Sequence, residues 1–389
     1  LSGAACIMSR TNKPLNFWNQ SATVSTDSDP IDIQSTIKGV RKMYRAIPHN
    51  RDLVVFSNKG QFIVFGRNAL TPANASLVLT TTFEADLTAT PVAAGRNIFF
   101  AIEFGSYTGI REFFTQDAQD ANDSRPITQH VLKYLEGNVS LLSTSSNFDI
   151  LLVHTNKDQK TLYTYEYIWI DNKKAQSSWS KWILPNDAKY SFITQSVISV
   201  ITKIGNDYML NTLDLDTQND TGVSYQIKLD RKKSKTAVTT SVSSIYNPMP
   251  SDPNSVIFIQ GTGCPTPGLR AWVDTYNAGT YTFDRSMGGG TVIYGVPYRS
   301  SYIPTNPDVK DSDNVKIGTG KLTVSKFFVN LKNTGRLMAK VFSKYTEDKL
   351  TTFTARLVGD PDTHIGEPAI VNDSFIVPFR YSIEHAEVE

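Results

Sequence analysis

The sequence has little of what a catalytic or metal site needs. Its 389 residues include only two cysteines and five histidines. The cysteines lie far apart, without the C-x-x-C spacing of metal or redox sites, so we predict two buried, reduced thiols. The histidines show no metal-ligand spacing either, although a Ser-His-Asp triad assembled in space stays open because triads are recognised by geometry. The residues concerned are Cys6, Cys264, His49, His130, His154, His364 and His385. We therefore predict no enzyme activity, no cofactor and no bound metal.

Long hydrophobic runs are also missing. No apolar run approaches the roughly 18 to 20 residues that span a bilayer, so we predict no membrane-spanning segment. No secretory signal precedes the Asn-x-Ser/Thr triplets, such as the one at Asn74, and we interpret these triplets as chance matches. The chain opens at Leu1 inside what resembles a strand pair, from which we expect a fragment of a longer protein.

A strong charge of either sign is the third feature that the chain lacks. The 39 Lys and Arg residues against 37 Asp and Glu residues give a formal net charge of +2. This balance is too close to neutral for wholesale wrapping of nucleic acid, so any contact with nucleic acid must be local. The 40% hydrophobic and 11% aromatic content is enough for a large core, and the length predicts two or three domains.

Short runs of β-branched and aromatic residues dominate the chain, above all between residues 52 and 182. Residues 53–65 hold two such runs separated by Ser57-Asn-Lys-Gly60, the composition of a hairpin turn with a residue at positive φ. Further strand patterns cover residues 76–83, 97–104, 109–114, 148–154, 162–170 and 179–184. One segment differs: residues 126–137 place apolar side chains at helical spacing before Gly137, which predicts a short amphipathic helix.

The spacing of the strand patterns indicates a repeated unit. Runs that end near Phe65, Phe114, Ile170 and Leu215 are followed by polar turns, at intervals of about 40 to 55 residues, close to the length of a four-stranded propeller blade. Any large antiparallel protein gives similar intervals, so spacing alone leaves the fold open.

From these patterns we predict a mainly β protein in three parts. A β-propeller-like body of short antiparallel strands, incomplete at its N-terminus, covers residues 1–216. A loop-rich β domain covers residues 217–314, and a β-sandwich-like module covers residues 315–389.

One dense basic cluster occurs in the chain, formed by Arg231, Lys232, Lys233 and Lys235. Such a cluster can contact phosphate oxygens without reading sequence, and the alternative is a solvated hairpin tip. A second sequence, Gly318-Thr-Gly-Lys321, superficially resembles a phosphate-binding loop. It lacks the glycine and the Ser or Thr that the motif requires, so we predict a loop that enters a strand.

Two further patterns are compatible with carbohydrate chemistry. Asp27, Asp29 and Asp32 could bind a hard cation or act as a glycosidase pair, and the alternative is a turn before a strand. Alternating aromatic residues on one strand face, with two tryptophans nearby, could form a sugar-stacking platform, but a single shared face favours core. The aromatic residues are Tyr163, Tyr165, Tyr167, Trp169, Trp179 and Trp182.

An ordered series of motifs resembles the tail tubular protein B, or nozzle protein, family of short-tailed bacteriophages of the autographivirus type. The series is Leu1-Ser-Gly, Met8-Ser-Arg-Thr, Asn16-Phe-Trp, Asp29-Pro-Ile-Asp32, Leu53-Val-Val-Phe-Ser, Gly60-Gln-Phe, Leu77-Val-Leu-Thr-Thr-Thr-Phe83, Gly95-Arg-Asn-Ile-Phe-Phe-Ala101, Ile127-Thr-Gln-His-Val and Gln176-Ser-Ser-Trp-Ser-Lys-Trp182. Gly320-Lys-Leu and Ala355-Arg-Leu-Val-Gly359 fit the C-terminal region of the family, and residues 216–313 are assigned by continuity.

The resemblance implies a structural virion protein made in the host cytoplasm. Members assemble as a homo-hexamer below the adaptor ring of tail tubular protein A, extend the tail tube, help to hold the tail fibres and line the path of ejected phage DNA. It supplies no catalytic residue. A ring of identical contacts requires two different surfaces on each chain. The alternatives are a carbohydrate-binding or depolymerising tail protein and a cellular propeller scaffold that binds peptides.

Overall fold

The computed structural model describes residues 1, 3–37, 42–65, 69–116, 121–145, 147–170, 173–215, 218–220, 222–243, 253–304, 310, 312, 322–355, 369–382 and 386–389. The predicted loop at 318–321, His364 and His385 lie outside the described residues. The regular secondary structure of the described part consists of antiparallel strands and two single 3₁₀ turns, at Gln129–Val131 and Pro253–Ser255. The predicted mainly β fold class is confirmed. No helix among the described residues is long and apolar enough to cross a membrane.

The chain divides into two compact units, Leu1–Asp216 and Thr217–Glu389. The three domains predicted from composition stay a prediction.

The first unit begins with a strand pair and continues with four sheets. The pair is β1 (Ala5–Met8) with β2 (Ile31–Gln34). The first sheet holds β3 (Met43–His49), β4 (Asp52–Ser57), β5 (Gln61–Val64) and β6 (Val78–Thr81). The second holds β7 (Val92–Ala94), β8 (Asn97–Phe104), β9 (Tyr107–Gln116) and β10 (Ala121–Pro126). The third holds β11 (Val139–Ser145), β12 (Ile150–Thr155), β13 (Thr161–Ile170) and β14 (Lys173–Ile183), and the fourth holds β15 (Asp187–Thr194), β16 (Val197–Ile204) and β17 (Asp207–Asp214). Within each sheet the strands are neighbours in chain order.

Apolar side chains on both faces of the strands pack the successive sheets together. In β8, Ile98 and Phe100 contact the first sheet, while Phe99 contacts the third. Because successive side chains of a strand point to opposite faces, a strand buried on both faces must be apolar at every position, as Asn97–Phe104 nearly is. A further cluster, which includes Leu152 and Ile198, joins the third sheet to the fourth.

This stacking has the features of consecutive propeller blades. Three meanders of four strands follow one another, and the first strands of successive sheets contact each other. The blades account for the regular spacing of strand patterns in the sequence.

The hairpin predicted at residues 53–65 is present as β4 and β5, joined by a turn that ends at Gly60. Gly60 has φ +154°, and a Cβ added there would lie 2.3 Å from the carbonyl oxygen of Thr81 in β6. Glycine is therefore required by a close backbone approach as well as by the turn.

The helix predicted at residues 126–137 is absent, and this prediction was wrong. Only the single 3₁₀ turn Gln129–Val131 forms there. The segment binds the β8–β9 hairpin instead: Ile127 N donates to Ile110 O at 3.0 Å, and Thr108 N donates to Leu135 O at 3.1 Å. The backbone groups at both ends of the segment thus form hydrogen bonds with β9.

The second unit contains two pairs of packed sheets. In the first pair, a four-stranded sheet and a three-stranded sheet face each other across a core that includes Phe258. The four-stranded sheet holds, in order, β18 (Asp230–Val238), β24 (Gly290–Val296), β20 (Ile257–Gln260) and β21 (Arg270–Ala271), and the three-stranded sheet holds β19 (Ser241–Val242), β23 (Thr280–Phe283) and β22 (Val273–Asn277). In the second pair, a two-stranded sheet packs on a three-stranded sheet through a core that includes Phe375 and Phe379. The two-stranded sheet holds β25 (Thr323–Thr334) and β28 (Val371–Ser382), and the three-stranded sheet holds β27 (Lys349–Thr354), β26 (Arg336–Ser343) and β29 (Ala386–Val388). Two sheets closed over one apolar layer form a sandwich.

Candidate functional site

The predicted basic cluster lies along β18, which is an edge strand of its sheet. Lys232, Lys233 and Lys235 are exposed, and Arg231 is half-buried. The four residues therefore lie close together, but on a strand and not at a hairpin tip. An exposed row of cations on a strand edge can contact phosphates, and it also discourages pairing of that edge with other strands.

Two irregularities distort β18 beside these cations. The register against β24 shifts between Asp230 and Lys233 and again between Lys235 and Val238. Arg231 and Ala237 adopt φ +53° and +56°, the positive values typical of bulged positions. These bulges change the direction of the side chains in the cluster, so these side chains do not alternate strictly between the two faces of the strand.

One member of the cluster has a structural partner. Lys232 Nζ lies 2.8 Å from Asp220 Oδ1 and donates to Ile227 O at 3.1 Å. Asp220 also accepts a hydrogen bond from Ile227 N at 2.5 Å. Lys232 thereby ties the segment before β18 to the strand, and its charge is balanced by a carboxylate.

The acidic run serves a turn. Asp29 is buried, and its two carboxylate oxygens accept hydrogen bonds from Gln20 N at 2.9 Å and Thr26 N at 2.8 Å. These backbone hydrogen bonds hold the pKa of Asp29 below its usual range. Asp27 and Asp32 are exposed. No group of three His, Cys, Asp or Glu side chains in the described residues is placed to hold a metal ion.

The aromatic face of β13 forms core. Tyr163, Tyr165 and Tyr167 are buried between the second and third sheets, where Trp169 and Trp179 pack against them. Trp182 packs in the cluster on the opposite side of the third sheet. The interpretation of this face as core is confirmed.

A buried charge network that no sequence pattern indicated ties the second sheet to the third. Glu112 on β9 is fully buried. Its carboxylate accepts hydrogen bonds from Asn97 Nδ2 at 2.6 Å, Arg125 Nε at 2.9 Å and Lys174 Nζ at 2.8 Å. Lys174, on β14, also lies over the rings of Tyr165 and Tyr167. A buried carboxylate is tolerated only when paired and hydrogen-bonded in this way.

A second missed group lies between the third and fourth sheets. His154 Nε2 and Ser191 Oγ are hydrogen-bonded at 2.7 Å, and Ser143 Oγ donates to Ser191 O at 2.6 Å. Burial lowers the pKa of His154 to about 4. Only 1% of Ser191 is exposed, so a substrate cannot reach its hydroxyl. The group is a structural link between sheets and not a nucleophile site.

The remaining described histidines and the cysteines have no reactive arrangement. His130 is exposed, while His49 is buried against Phe113 with burial lowering its pKa. Cys6 and Cys264 are buried free thiols, as predicted, and burial raises the pKa of each.

Comparison with known proteins gives two further findings. The profile of the family described as "Bacteriophage nozzle protein" matches residues 1–389. The chain is 31% identical over 183 residues to the tail tubular protein gp12 of Escherichia phage T7, an alignment that covers 47% of this chain and 23% of the relative. The chain thus spans about a quarter of the length of that relative.

Two solved structures show a weak resemblance to the chain. Apo AztD from Citrobacter koseri gives a TM-score of 0.29 at 11% identity, covering 70% of this chain and 79% of that one. The N-terminal domain of Nup159 gives a TM-score of 0.26 at 10% identity, covering 67% of this chain and 77% of that one.

Proposed function

The chain belongs to the bacteriophage nozzle protein family, which makes it a structural protein of a phage tail, and we propose that it is a subunit of a hexameric nozzle. In this role it extends the tail tube and forms the conduit for DNA ejection. The observation that carries the proposal is the match of the family profile over residues 1–389, supported by the T7 relative.

The physical character of the first unit suits the wall of a conduit. Its four sheets are joined by three apolar clusters, one between each pair of successive sheets, and by two buried polar links. Bending one sheet against the next would therefore disrupt packed interiors. The formal net charge of +2 favours passage of DNA over capture, because affinity for duplex DNA grows with the number of phosphates neutralised.

The ring is tested by imaging the full-length protein. Negative-stain images, averaged with and without sixfold symmetry, are expected to show hexameric rings of the protein alone or on adaptor rings. A protein that stays monomeric at high concentration, and that does not join adaptor rings, would contradict the proposal.

We propose further partners for the same role. The nozzle docks on the adaptor ring of tail tubular protein A and contacts the tail fibres, after synthesis in the host cytoplasm. Co-purification of the full-length protein with adaptor rings is the expected result. Tails assembled without this chain are expected to keep the adaptor ring and to hold fewer fibres, and unchanged fibre content would contradict the fibre contact.

We propose that the basic cluster faces the DNA. Replacing Arg231, Lys233 and Lys235 with glutamine removes three cations but keeps Lys232, which ties the preceding segment to β18. We expect ring assembly to persist and the rate of DNA ejection from the assembled particle to change. Unchanged ejection kinetics would assign the cluster to protection of the strand edge. Lys232→Gln alone is the matched comparison, because it alters local structure while keeping the other three charges.

A carbohydrate-depolymerising role finds no comparable support. Both oxygens of Asp29 accept backbone hydrogen bonds, and the aromatic face of β13 is core. We expect no saccharide release when the protein is incubated with host capsule or peptidoglycan. Release that disappears in Asp29→Ala, with the fold retained, would support this alternative.

A further inference from the structure

A loop in the first unit exposes large apolar side chains. This projecting loop, residues 9–30, connects β1 to β2. Leu15 is 89% exposed, Trp18 84% and Phe17 51%. Single exposed apolar residues are ordinary, but several together on one short segment mark an interaction surface.

The projecting loop is held in shape by its own hydrogen bonds. The buried carboxylate of Asp29 accepts hydrogen bonds from Gln20 N and Thr26 N, as described above. Asn16 Oδ1 accepts from Trp18 N at 3.0 Å, and Arg10 N donates to Asn16 O at 2.9 Å. A loop that is already ordered loses little conformational freedom when it binds, so its exposed side chains are preorganised for a partner.

A second apolar surface lies on the outer face of the fourth sheet. Tyr190, Ile201 and Leu210 form a cross-strand row there, with Phe192 and Tyr208 beside it. Tyr190 is 49% exposed, Leu210 58% and Tyr208 65%, whereas the opposite face of this sheet packs on the third sheet. In the three preceding sheets, by contrast, apolar residues on both faces belong to core clusters.

The edge strand of this sheet lacks the usual protection. β17 contains no lysine, arginine or proline, and its register against β16 runs without a shift. The edge strand β18, in contrast, carries the basic cluster and two register shifts. An edge strand without lysine, proline or a bulge lacks the devices that usually prevent pairing or docking.

We propose that these two surfaces are the two halves of one contact between copies of this chain. The projecting loop of one copy lies on the outer face of the fourth sheet of the next. This inference rests on the proposed ring, because identical contacts around a ring join two different surfaces of each chain. Trp, Tyr and Phe are also the residue types that carry most binding energy at interfaces.

The charges around the two surfaces agree with this pairing. The loop carries Arg10 and Lys13 close in sequence to its exposed apolar residues, and residues 9–26 include no acidic side chain. Asp214 lies on the side of β17 that holds Tyr208 and Leu210. Lys203 on β16 is the cross-strand neighbour of Tyr208, at the other end of the face, so the loop cations are expected at the Asp214 end. Opposite charges at the rim of an apolar contact select the right register and partner.

Two variants test the contact in the full chain. The loop variant carries Leu15→Ser and Trp18→Ser, and the face variant carries Tyr190→Ser and Leu210→Lys. We expect each to raise the concentration needed for half-assembly by about tenfold or more, as analytical ultracentrifugation would measure. The matched control is Tyr302→Ser with Phe328→Ser, which removes aromatic side chains that are 77% and 62% exposed in the second unit. Unfolding curves that coincide with the wild type exclude loss of folding.

Mixing the two variants distinguishes a single two-sided contact from two unrelated ones. The loop variant keeps an intact face, and the face variant keeps an intact loop. An equimolar mixture is therefore expected to form pairs with one chain of each kind and no complete ring. If the mixture stays monomeric while the wild type assembles, the loop and face do not bind each other, and the inference is overturned.

The wild type, alone and with adaptor rings, separates failure of the contact from failure of the ring. If the wild type assembles and both variants assemble equally well, only the contact is wrong. If the wild type stays monomeric in both conditions, the proposed ring and the proposed contact are both wrong. A chain with Trp18→Cys and Leu210→Cys adds a direct readout, because Cys6 and Cys264 are buried: oxidation is expected to link neighbouring copies covalently.

Discussion

The buried histidine between the third and fourth sheets makes the stability of the first unit depend on pH. His154 has a pKa lowered to about 4 by burial, against 6.5 when unperturbed. Between these values the unfolded chain binds a proton that the folded chain excludes, so protonation favours unfolding. The contribution of uncharged His154 to the stability of the first unit is therefore complete above pH 6.5, and it decreases as the pH falls through 4.

The size of the effect follows from the difference between the two pKa values. At pH 5 the imbalance in proton binding removes about 2 kcal/mol relative to pH 7.5, and at pH 4 about 3 kcal/mol. A loss of about 2 kcal/mol lowers the urea midpoint by roughly 0.7 to 1 M, for a slope of about 2 to 3 kcal/mol per molar.

The assay compares wild type with His154→Gln by urea unfolding at pH 7.5 and pH 5. Tryptophan fluorescence is a suitable signal because Trp182, one of five tryptophans, packs in the cluster that joins the third and fourth sheets. We expect wild type to be the more stable protein at pH 7.5 and its advantage to shrink by about 2 kcal/mol at pH 5. His130→Gln, which removes an exposed histidine from the same unit, is expected to follow wild type at both pH values. A wild-type advantage that is equal at both pH values would show that burial of His154 does not couple stability to pH.

Three further predictions concern packing and charge. Lys174→Met leaves the buried Glu112 carboxylate without its inter-sheet partner and should lower the free energy of unfolding by about 3 kcal/mol. In a double-mutant cycle measured by urea unfolding, adding Glu112→Gln should recover part of this loss, and additive losses would contradict the pairing. Gly60→Ala should lower the free energy of unfolding by about 2 kcal/mol or more, because the added Cβ meets a backbone oxygen. Gly105→Ala, at φ +68° with open space around it, should lower it clearly less, and equal melting temperatures of the two variants would contradict this. Duplex DNA binding by a chain with Arg231, Lys233 and Lys235 replaced by glutamine should depend less on salt. The slope of log affinity against log salt, from a fluorescence-anisotropy titration, should fall by at most about 2.7, and an unchanged slope would mean that these cations do not contact phosphate.

Patterns confined to a few neighbouring residues were predicted well. The β4–β5 hairpin follows from two apolar runs around a turn that needs a glycine, and the predicted strand at 97–104 coincides with β8. The alternation of tyrosines on β13 correctly indicated core, because one face of a strand can be read from every second residue.

The polar links between sheets could not be predicted in the same way. Glu112 and Lys174 are 62 residues apart, and His154 and Ser191 are 37 residues apart. Nothing near any of these residues distinguishes it from an exposed polar side chain on a strand. Their partners depend on which sheets pack together, and that is a property of the assembled fold.

The helix predicted at residues 126–137 shows why periodicity alone can mislead. Ile127 and Leu135 are buried as an amphipathic helix would require, but Leu132 is 50% exposed. A helix would have used the backbone groups of this segment internally. Instead its two ends bind β9, and the two buried side chains reach the core between the second and third sheets from an irregular path. A helical spacing of apolar residues is therefore weak evidence when an adjacent strand offers hydrogen-bond partners for the same backbone.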